Sequence, residues 1–519
     1  MVLKSRAEGV RRRALLRAAG ALALPGIAAP AVADGMASPA STDEFSEVAR
    51  WSIPGYDDRW GAIWRYARTL HDVTVVDEYA YCAFWEAGTW ILDVSDPTSP
   101  EFVGRAGHYS LEELEELTAD VSRQRARLEA PGNAHYAHAE GGRLAVGAEG
   151  WDDPYTDARG PGGIRLYDVS DPSDPEEVSA IPPPRAENEA RPGTWVTAHN
   201  FELRDDRLYS SWYQGGVKVH DVSDPSNPEL LAWWRDPSVA RFWTAQVAAG
   251  GTFVASSYDR GETEGRLYVF PDRPGRQPDP PSLVDRPPTR TPTSTPENGT
   301  TPGPTTTPNP TPPAEEPFEP LGSVAVEGAA EAVVGPDGET VYVAATDGFV
   351  VVDVSDPTNP TVLAERRGLL ADHPDGPLEA VLDVAVDGDR LLVPAPARRG
   401  SPKGLLLYDV SDPADPRRVD GFHEFPSRIH NADLADGYAF LTANELPDQP
   451  MAVVEVPSDG EATPTATSGG TTTTGRTGTP PAGDGTNSGD GRSVPGFGAL
   501  AALAGLGVGA YRYLRDGTG

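Results

Sequence analysis

The pentapeptide Asp-Val-Ser-Asp-Pro occurs five times in this chain, and it constrains the fold more than any other feature. The copies start at Asp93, Asp168, Asp221, Asp353 and Asp409. The apolar, often β-branched residues before each copy favour a strand, whereas Ser-Asp-Pro favours a tight turn in which aspartate side chains accept backbone N–H groups. Each copy therefore predicts a strand, a turn and a second strand. We interpret the aspartates as turn-forming residues, with calcium binding as the alternative.

The interval between copies indicates a β-propeller. Units of about 40–55 residues that contain only strands and turns are typical of propeller blades. Two degenerate copies, Leu267-Tyr-Val-Phe-Pro and Val453-Val-Glu-Val-Pro, bring the number of units to seven. We therefore predict an all-β fold, a seven-bladed β-propeller with four strands in each blade. In the unit that can be read in full, the strands lie near residues 199–203, 208–213, 216–222 and 229–233.

The ends of the repeat array predict a closed ring. The last unit stops at Val456 without a fourth strand, and Glu47–Ile53 looks like a strand without a unit of its own. Pairing of these segments would close the ring and remove the sheet edges that an open array exposes. In the same way, Glu319–Val326 can supply the fourth strand of the unit that ends at Phe270. The alternative is two independent domains of four and three blades.

An insertion and two linkers interrupt the array. The propeller is predicted over residues 44–271 and 318–457, with a short helical insertion at 110–130 in which Ser110 and Glu113 form a capping box. The Pro- and Thr-rich segment 272–317 and the Thr-, Gly- and Ser-rich segment 458–494 are predicted to be disordered linkers, because their composition cannot pack a core. Asn298 stands in an acceptor pattern for N-glycosylation.

Both ends of the sequence predict export. Residues 1–33 combine Arg12-Arg13, an apolar run and the small-residue site Ala31-Val-Ala33, as in a twin-arginine signal peptide. Residues 495–519 contain Pro-Gly-Phe, an apolar tail and arginines, and resemble the PGF-type sorting signal of archaeal surface proteins. That resemblance implies removal of the tail by an archaeosortase-like enzyme and attachment of a lipid. A plain C-terminal membrane segment is the alternative, and both interpretations tether the propeller outside the cell.

Charge restricts the partners. The chain of 519 residues has 78 acidic and 43 basic residues and a formal net charge of −35. This excess resembles proteins of halophilic archaea, whose carboxylates keep them soluble in high salt. It argues against nucleic acid as a partner, since phosphates require a basic face. We expect a monomer.

The repeat units resemble a known family. Strings such as Ile91-Leu-Asp-Val and Val351-Val-Asp-Val are similar to the core of LVIVD repeats, which form propellers in exported bacterial and archaeal proteins. The resemblance covers 44–457 without the linker. It implies a fold and a location, and it implies no reaction.

Four of the nine histidines occupy the same position in the repeat, at the start of the first and innermost strand. They are His71, His135, His199 and His430. Because first strands line the channel of a propeller, we predict that these side chains meet at one mouth. Imidazoles suit a divalent transition metal as cofactor, but a metal needs ligands at about 2.0–2.2 Å and a wide channel would hold them apart. A structural role is favoured, with metal binding as the alternative.

Further polar and aromatic residues accompany the histidines. Asn200 and Asn431 directly follow two of them, and Trp64, Trp195 and Trp243 precede or open first strands, with arginines nearby. Trp and Arg are enriched at binding hot spots, so these residues are candidates for ligand binding, with loop packing as the alternative. In the other units the equivalent position holds Thr244 or Gln246, Glu331, and Glu379 or Asp383.

Two classes of function follow. The first is a non-enzymatic binding or scaffold module for a surface protein, a glycan or a small ligand. The second is a metal-dependent, oxidase-like propeller enzyme with a histidine site at the channel mouth. The sequence contains no Gly-rich phosphate loop, no CxxC pair, no metalloprotease helix and no nucleophile elbow, so the first class is favoured.

Overall fold

The protein is a seven-bladed β-propeller, which confirms the predicted fold. The computed structural model describes residues 44–118, 133–152, 160–258, 264–284, 316–419 and 421–457. Within this part of the chain there are seven antiparallel sheets and two short α-helices, α1 (Ile53–Tyr56) and α2 (Leu111–Thr118). No helix there is long and apolar enough to cross a membrane. The predicted signal peptide, Asn298, the segment 458–494 and the C-terminal sorting signal lie outside the described residues.

Blades one to three are meanders whose strands follow one another in sequence. Blade one contains β2 (Asp72–Val76), β3 (Tyr79–Ala83), β4 (Thr89–Asp93) and β5 (Glu101–Ala106). Blade two contains β6 (Ala134–Glu140), β7 (Arg143–Ala148), β8 (Ile164–Asp168) and β9 (Glu176–Ile181). Blade three contains β10 (Phe201–Arg204), β11 (Arg207–Ser211), β12 (Val217–Asp221) and β13 (Glu229–Trp234).

Blades four to seven complete the ring. Blade four contains β14 (Phe242–Ala248), β15 (Thr252–Ser257), β16 (Arg266–Pro271) and β17 (Gly322–Ala325). Blade five contains β18 (Ala329–Val334), β19 (Thr340–Ala345), β20 (Phe349–Asp353) and β21 (Thr361–Arg366). Blade six contains β22 (Ala385–Asp387), β23 (Arg390–Ala395), β24 (Gly404–Asp409), β25 (Arg417–Arg418) and β26 (His423–Glu424). Blade seven contains β27 (Ile429–Ala435), β28 (Tyr438–Ala443), β29 (Met451–Glu455) and β1 (Ser46–Trp51).

The outer strand of blade six departs from the prediction of four strands per blade. It is split into β25 and β26, and both pieces pair with β24. In blades one, two, three and five the register between the third and fourth strands shifts at the same level, for example between Val219 and His220. Such a shift is a β-bulge, in which one strand carries an extra residue. In blade six the fourth strand is interrupted at this level, so that β25 and β26 pair separately with β24.

The first strands form an unbroken inner ring. Each contacts the first strands of the two neighbouring blades, in the order β2, β6, β10, β14, β18, β22, β27 and back to β2. The predicted closure is confirmed, because β1 pairs with β29 from Ser46↔Glu455 to Trp51↔Met451. The predicted crossing of the linker is confirmed as well, since β17 pairs with β16. These pairings put all seven blades into one ring.

The repeated aspartates build the turns after each third strand. In all five copies the first aspartate accepts a hydrogen bond from the serine N–H two residues later, at 2.8–2.9 Å. The second aspartate accepts from the N–H two residues beyond it, at 3.0–3.1 Å. The hydrogen bond to Ser170 lowers the pKa of Asp168, and the hydrogen bond to Ser223 lowers that of Asp221. The aspartates therefore have the turn-forming role that was predicted.

The helical insertion begins as predicted. Ser110 Oγ accepts a hydrogen bond from Glu113 N at 3.2 Å, and Glu113 Oε2 accepts one from Ser110 N at 2.8 Å, which is a capping box. The helix α2 follows directly, and residues 119–130 of the predicted insertion lie outside the described part of the chain.

The first residues of the predicted linker 272–317 pack on the propeller. The side chain of Gln277 accepts a hydrogen bond from Arg235 N and donates one to Arg235 O, both at 3.0 Å. Further along, Leu283 O accepts from Glu187 N at 2.9 Å, and Phe318 is fully buried just after the linker. A polar, Pro-rich chain can pack in this way because it satisfies backbone groups of a neighbouring blade without an apolar core of its own. Residues 285–315 lie outside the described part.

We predict that deletion of Glu44–Pro54 opens the ring. Trp51 and Ile53 are buried, and Trp51 packs against Trp90 of blade one at 5.6 Å between ring centroids. Burial of two large apolar side chains contributes about 3–6 kcal/mol, and in a propeller of roughly 370 residues that corresponds to a fall of about 4–8 °C in the melting temperature. Calorimetry measures this fall. Truncation after Pro457, which keeps both closing strands, should leave the transition in place, and equal melting of the two variants would contradict the closure account.

Candidate functional site

The structure brings the four predicted histidines together at one end of the inner ring. The centroids of His71 and His135 are 3.9 Å apart, those of His71 and His430 are 4.2 Å apart, and those of His135 and His199 are 4.6 Å apart. The four imidazoles thus form a continuous arc across blades seven, one, two and three, in the order His430, His71, His135 and His199. We call this arc, with the residues around it, the histidine mouth. The channel is narrow here, so the expected obstacle of excessive separation does not arise.

Backbone contacts between blades orient two of the imidazoles. His71 Nδ1 lies 3.1 Å from the carbonyl oxygen of His135, and His199 Nδ1 lies 2.7 Å from that of Trp243. A carbonyl oxygen only accepts, so Nδ1 carries the proton in both rings and Nε2 keeps its lone pair. In His430, Nδ1 is hydrogen-bonded to the side-chain oxygen of Asn431. In His71 and His199, Nδ1 therefore holds adjacent blades together, and Nε2 stays available to accept a hydrogen bond or bind a metal.

Burial keeps the four histidines neutral. Loss of solvation lowers the pKa of His199 to about 3 and that of His430 to about 4. The same cause holds the pKa values of His71 and His135 well below their usual range, and the neighbouring imidazoles lower them further. Neutral imidazoles with free Nε2 atoms are hydrogen-bond acceptors and metal ligands.

Glu149 adds a carboxylate that sequence reasoning missed. It follows β7, and its Oε2 lies 3.5 Å from His135 Nε2. Its other oxygen, Oε1, accepts a hydrogen bond from the hydroxyl of Tyr213 at 2.7 Å. Burial raises the pKa of Glu149. A ligand atom from each of His135, Glu149 and His199 lies within 4.8 Å of the others, and all three side chains are buried.

Tyr213 is held in place by an uncommon backbone conformation. Its φ is 47°, and its backbone exchanges two hydrogen bonds with Phe242 of the next blade, at 3.1 and 3.0 Å. Trp85 has the equivalent position in blade one, with φ of 34° and a bond from Ala134 N at 2.9 Å. Residues other than glycine in this region cost about 1–3 kcal/mol, which the bonds between blades offset. The conformation aims the Tyr213 hydroxyl at Glu149.

Below the histidines lies a layer of buried carboxyl groups. Its members are Asp72, Glu331 and Asp383, which are buried, and Asp433, which is half-buried. Burial raises the pKa of Glu331 to about 8 and that of Asp433 to about 6, and it raises those of Asp72 and Asp383 well above their usual range. Asn200 Nδ2 donates to Glu331 Oε2 at 2.6 Å across the blade between them. Of the two alternatives left open for blade six, Asp383 is buried here and Glu379 is exposed.

The predicted aromatic and arginine residues divide into two groups. Trp243 packs on His199 at 4.1 Å, and Trp195 packs on Tyr213 at 5.1 Å, so both tryptophans belong to the histidine mouth. Trp64 lies beside Tyr66 at 5.1 Å and packs on the cluster around α1. Three of the predicted arginines, Arg191, Arg241 and Arg428, lie near aromatic rings or histidines of the mouth, as does Arg398, which was not predicted. The fourth predicted arginine, Arg65, lies over Tyr66 beside Trp64. The roles of all these residues in binding stay a prediction.

Comparison with known proteins identifies the repeats. Residues 67–106 and 337–365 match the family described as LVIVD repeat. The chain therefore contains LVIVD repeats in a propeller fold. No curated protein matches the chain by sequence.

Solved propellers are similar in outline. The Cps50 (Swd1) propeller domain of Myceliophteria thermophila is 11% identical with a TM-score of 0.47, and 75% of this chain covers 96% of that one. A protein from Lactobacillus plantarum is 12% identical with a TM-score of 0.43, over 75% and 95% of the two chains. Sqt1 of Saccharomyces cerevisiae is 9% identical with a TM-score of 0.42, over 77% and 83%. Likenesses of this size carry no inference about function.

We predict that Glu331→Gln changes how stability depends on pH. The unfolded carboxyl ionises near its ordinary pKa of 4.5, whereas the folded one holds its proton up to about 8. Only the unfolded state therefore releases this proton in that window, so the wild-type protein loses stability as pH rises from about 4.5 to about 8, at up to about 1.4 kcal/mol per pH unit. Glutamine still accepts from Asn200 but cannot ionise. Denaturant unfolding at pH 5 and pH 8 gives the free energy of unfolding of both proteins. The difference between Glu331→Gln and the wild type should shift in favour of the variant by a few kcal/mol from pH 5 to pH 8.

The exposed Glu229→Gln serves as the control for this measurement. Its stability should run parallel to that of the wild type across the same pH range. If Glu331→Gln also runs parallel, the carboxyl ionises alike in both states and the account of a neutral buried layer is wrong.

Proposed function

We propose that the protein is an exported propeller, tethered to the outer surface of the cell, that acts as a non-enzymatic binding module through its histidine mouth. The observation that carries this proposal is the gathering of His430, His71, His135 and His199 from four blades at one end of the channel, with imidazoles 3.9–4.6 Å apart. Polar side chains from separate blades that meet at one point form a concave site with few, well-placed polar groups.

The charges around the mouth favour an acidic ligand. Arg428 is buried beside the arc, and both Arg428 and Arg398 lower the pKa of His430, after burial itself. Arg398 Nη2 donates to the hydroxyl of Tyr258 at 3.1 Å, and Arg191 lies over the Trp151 ring at 4.0 Å. In a chain with a net charge of −35 this gathering of guanidinium groups runs against the overall charge. Guanidinium groups bind carboxylate, sulfate and phosphate, so the ligand class is a small molecule or glycan that carries such a group.

We predict that Arg398→Gln together with Arg428→Gln weakens binding of acidic ligands. Titration calorimetry would use uronic acids and sulfated oligosaccharides, with neutral sugars for comparison. A hydrogen bond to a charged group contributes about 1.5–3 kcal/mol, so the double variant should bind at least about tenfold more weakly. Arg417→Gln is the matched control, because Arg417 is exposed and pairs with Asp415 in a repeat turn. Failure of every acidic ligand to bind, or equal loss in the control, would contradict the proposal.

The location rests on the two ends of the sequence. Arg12-Arg13 with the apolar run to Ala33 support export by the twin-arginine route, and Pro495-Gly-Phe with the following tail supports a PGF-type sorting signal and a lipid anchor. The acidic surface supports a halophilic archaeal source, and Asn298 supports glycosylation.

We predict that Arg12→Lys with Arg13→Lys keeps the protein inside the cell. The twin-arginine route requires the pair, so protease added to whole cells should digest the wild-type propeller and spare this variant. Lys4→Arg, a charge-conserving change outside the pair, should leave export intact. Digestion of the double variant to the wild-type extent would exclude this route.

A metal-dependent, oxidase-like enzyme is the second candidate. It is favoured by the grouping of His135, Glu149 and His199, since three protein ligands leave positions open for water or substrate. Turnover of a bound ligand by metal-loaded protein, lost in Glu149→Gln, would support the enzyme, whereas binding without turnover supports the module.

A further inference from the structure

We infer that His135, Glu149 and His199 bind one divalent transition-metal ion inside the histidine mouth. This inference rests on the proposed function, because it identifies the part of the same site that holds an ion. It differs from the expectation of four histidine ligands, since it selects two of them and adds a carboxylate. Two imidazoles and one carboxylate are a ligand set found on zinc and on non-haem iron.

The distances fit a metal. Two ligands on one metal, with bonds of about 2.1 Å and a tetrahedral angle, lie about 3.4 Å apart. His135 Nε2 and Glu149 Oε2 are 3.5 Å apart, and the full set lies within 4.8 Å. A separation at the 4.8 Å limit has to shorten by about 1.2–1.4 Å to reach the roughly 3.4–3.6 Å spacing of two tetrahedral ligands. Rotation of buried side chains about χ angles supplies such a shift.

The protonation states fit as well. The hydrogen bond from His199 Nδ1 to the Trp243 carbonyl leaves the lone pair on Nε2. The Nδ1 atom of His135 has no hydrogen-bond partner among the described residues, and its Nε2 faces the carboxylate. A neutral imidazole nitrogen and a carboxylate oxygen that face each other across 3.5 Å both present lone pairs unless a proton or a cation lies between them. A metal ion satisfies both groups.

The surroundings have the features of a metal site's outer shell. The Tyr213 hydroxyl donates to Glu149 Oε1 at 2.7 Å and so aims the other oxygen at the imidazoles. The rings of Trp243 and Tyr213 pack on His199 at 4.1 and 4.8 Å. Outer hydrogen bonds and an apolar shell of this kind fix ligand orientation and exclude water. Arg398 and Arg428 nearby would then hold the acidic end of a ligand whose other donor reaches the metal.

The test titrates the full exported propeller after removal of metal with EDTA. Calorimetry with Zn²⁺ and visible absorption with Co²⁺ should both show one equivalent bound, with a Co²⁺ spectrum of low coordination number. Glu149→Gln preserves size and the bond from Tyr213 but removes the anionic ligand, and it should weaken Zn²⁺ binding by more than about 100-fold. Tyr213→Phe removes only the outer hydrogen bond and should weaken binding by about 10-fold to 100-fold.

His71→Ala separates the two ligand sets. It should retain one equivalent of Zn²⁺ if the ion lies among His135, Glu149 and His199, and it should lose the ion if the arc of histidines is the ligand set. Absence of stoichiometric binding by the parent protein, or full binding by Glu149→Gln, overturns the inference. Thermal melts of the metal-free variants verify that each is folded.

The acidic-ligand titrations described above, repeated on metal-free protein, separate this inference from the proposed function. If acidic ligands bind and Zn²⁺ does not, only the metal site is wrong. If Zn²⁺ binds and no acidic ligand does, only the proposed ligand class is wrong.

Discussion

The ring depends on side chains of the first strands that accept backbone N–H groups from the next blade. Asp433 of blade seven accepts from Val75 N of blade one at 2.6 Å, and Glu202 of blade three accepts from Val247 N of blade four at 2.7 Å. The same arrangement recurs between blades four and five and between blades six and seven. An intramolecular hydrogen bond contributes about 0.5–1.5 kcal/mol net, so the repeated bonds together hold the inner edges of adjacent blades against one another.

The same constraint builds the candidate site. His71 and His199 reverse the polarity of the inter-blade bond, because their Nδ1 atoms donate to carbonyl oxygens of the next blade. A structural and a functional role are therefore compatible in one side chain: Nδ1 joins two blades, and Nε2 stays available to a ligand. Imidazole orientation is thus set by blade packing before any ligand binds, which limits the entropy lost on binding.

Most of the fold could be predicted from the repeat, whereas contacts made by residues outside the repeat pattern could not. The Asp-Val-Ser-Asp-Pro strings predicted the turns, and the unpaired strand at Glu47–Ile53 predicted the closure, because both follow from local pattern and from the need to pair edges. The convergence of the histidines was also predictable, since equivalent positions in a ring lie at one height. Their separations of 3.9–4.6 Å were not predictable, because the width of the channel is set by how the blades pack and not by the spacing of the repeat.

Glu149 illustrates what sequence could not provide. It directly follows the second strand of blade two, and the equivalent position holds Trp85 in blade one and Tyr213 in blade three. Its pairing with His135 arises from the fold of one blade, and the direction of Tyr213 arises from a left-handed residue between two blades. The packing of the first linker residues could not be predicted for a similar reason. Gln277 is held by hydrogen bonds to the backbone of Arg235, which composition does not reveal.

Anomalous X-ray diffraction would locate a metal ion bound in the histidine mouth. Crystals of the propeller grown with one equivalent of Zn²⁺ would be measured above and below the zinc absorption edge. We expect a single strong peak in the histidine mouth, about 2.0–2.2 Å from nitrogen atoms of His135 and His199 and from an oxygen of Glu149. A mouth without an anomalous peak, or a peak ligated by His71 and His430 instead, would contradict this expectation.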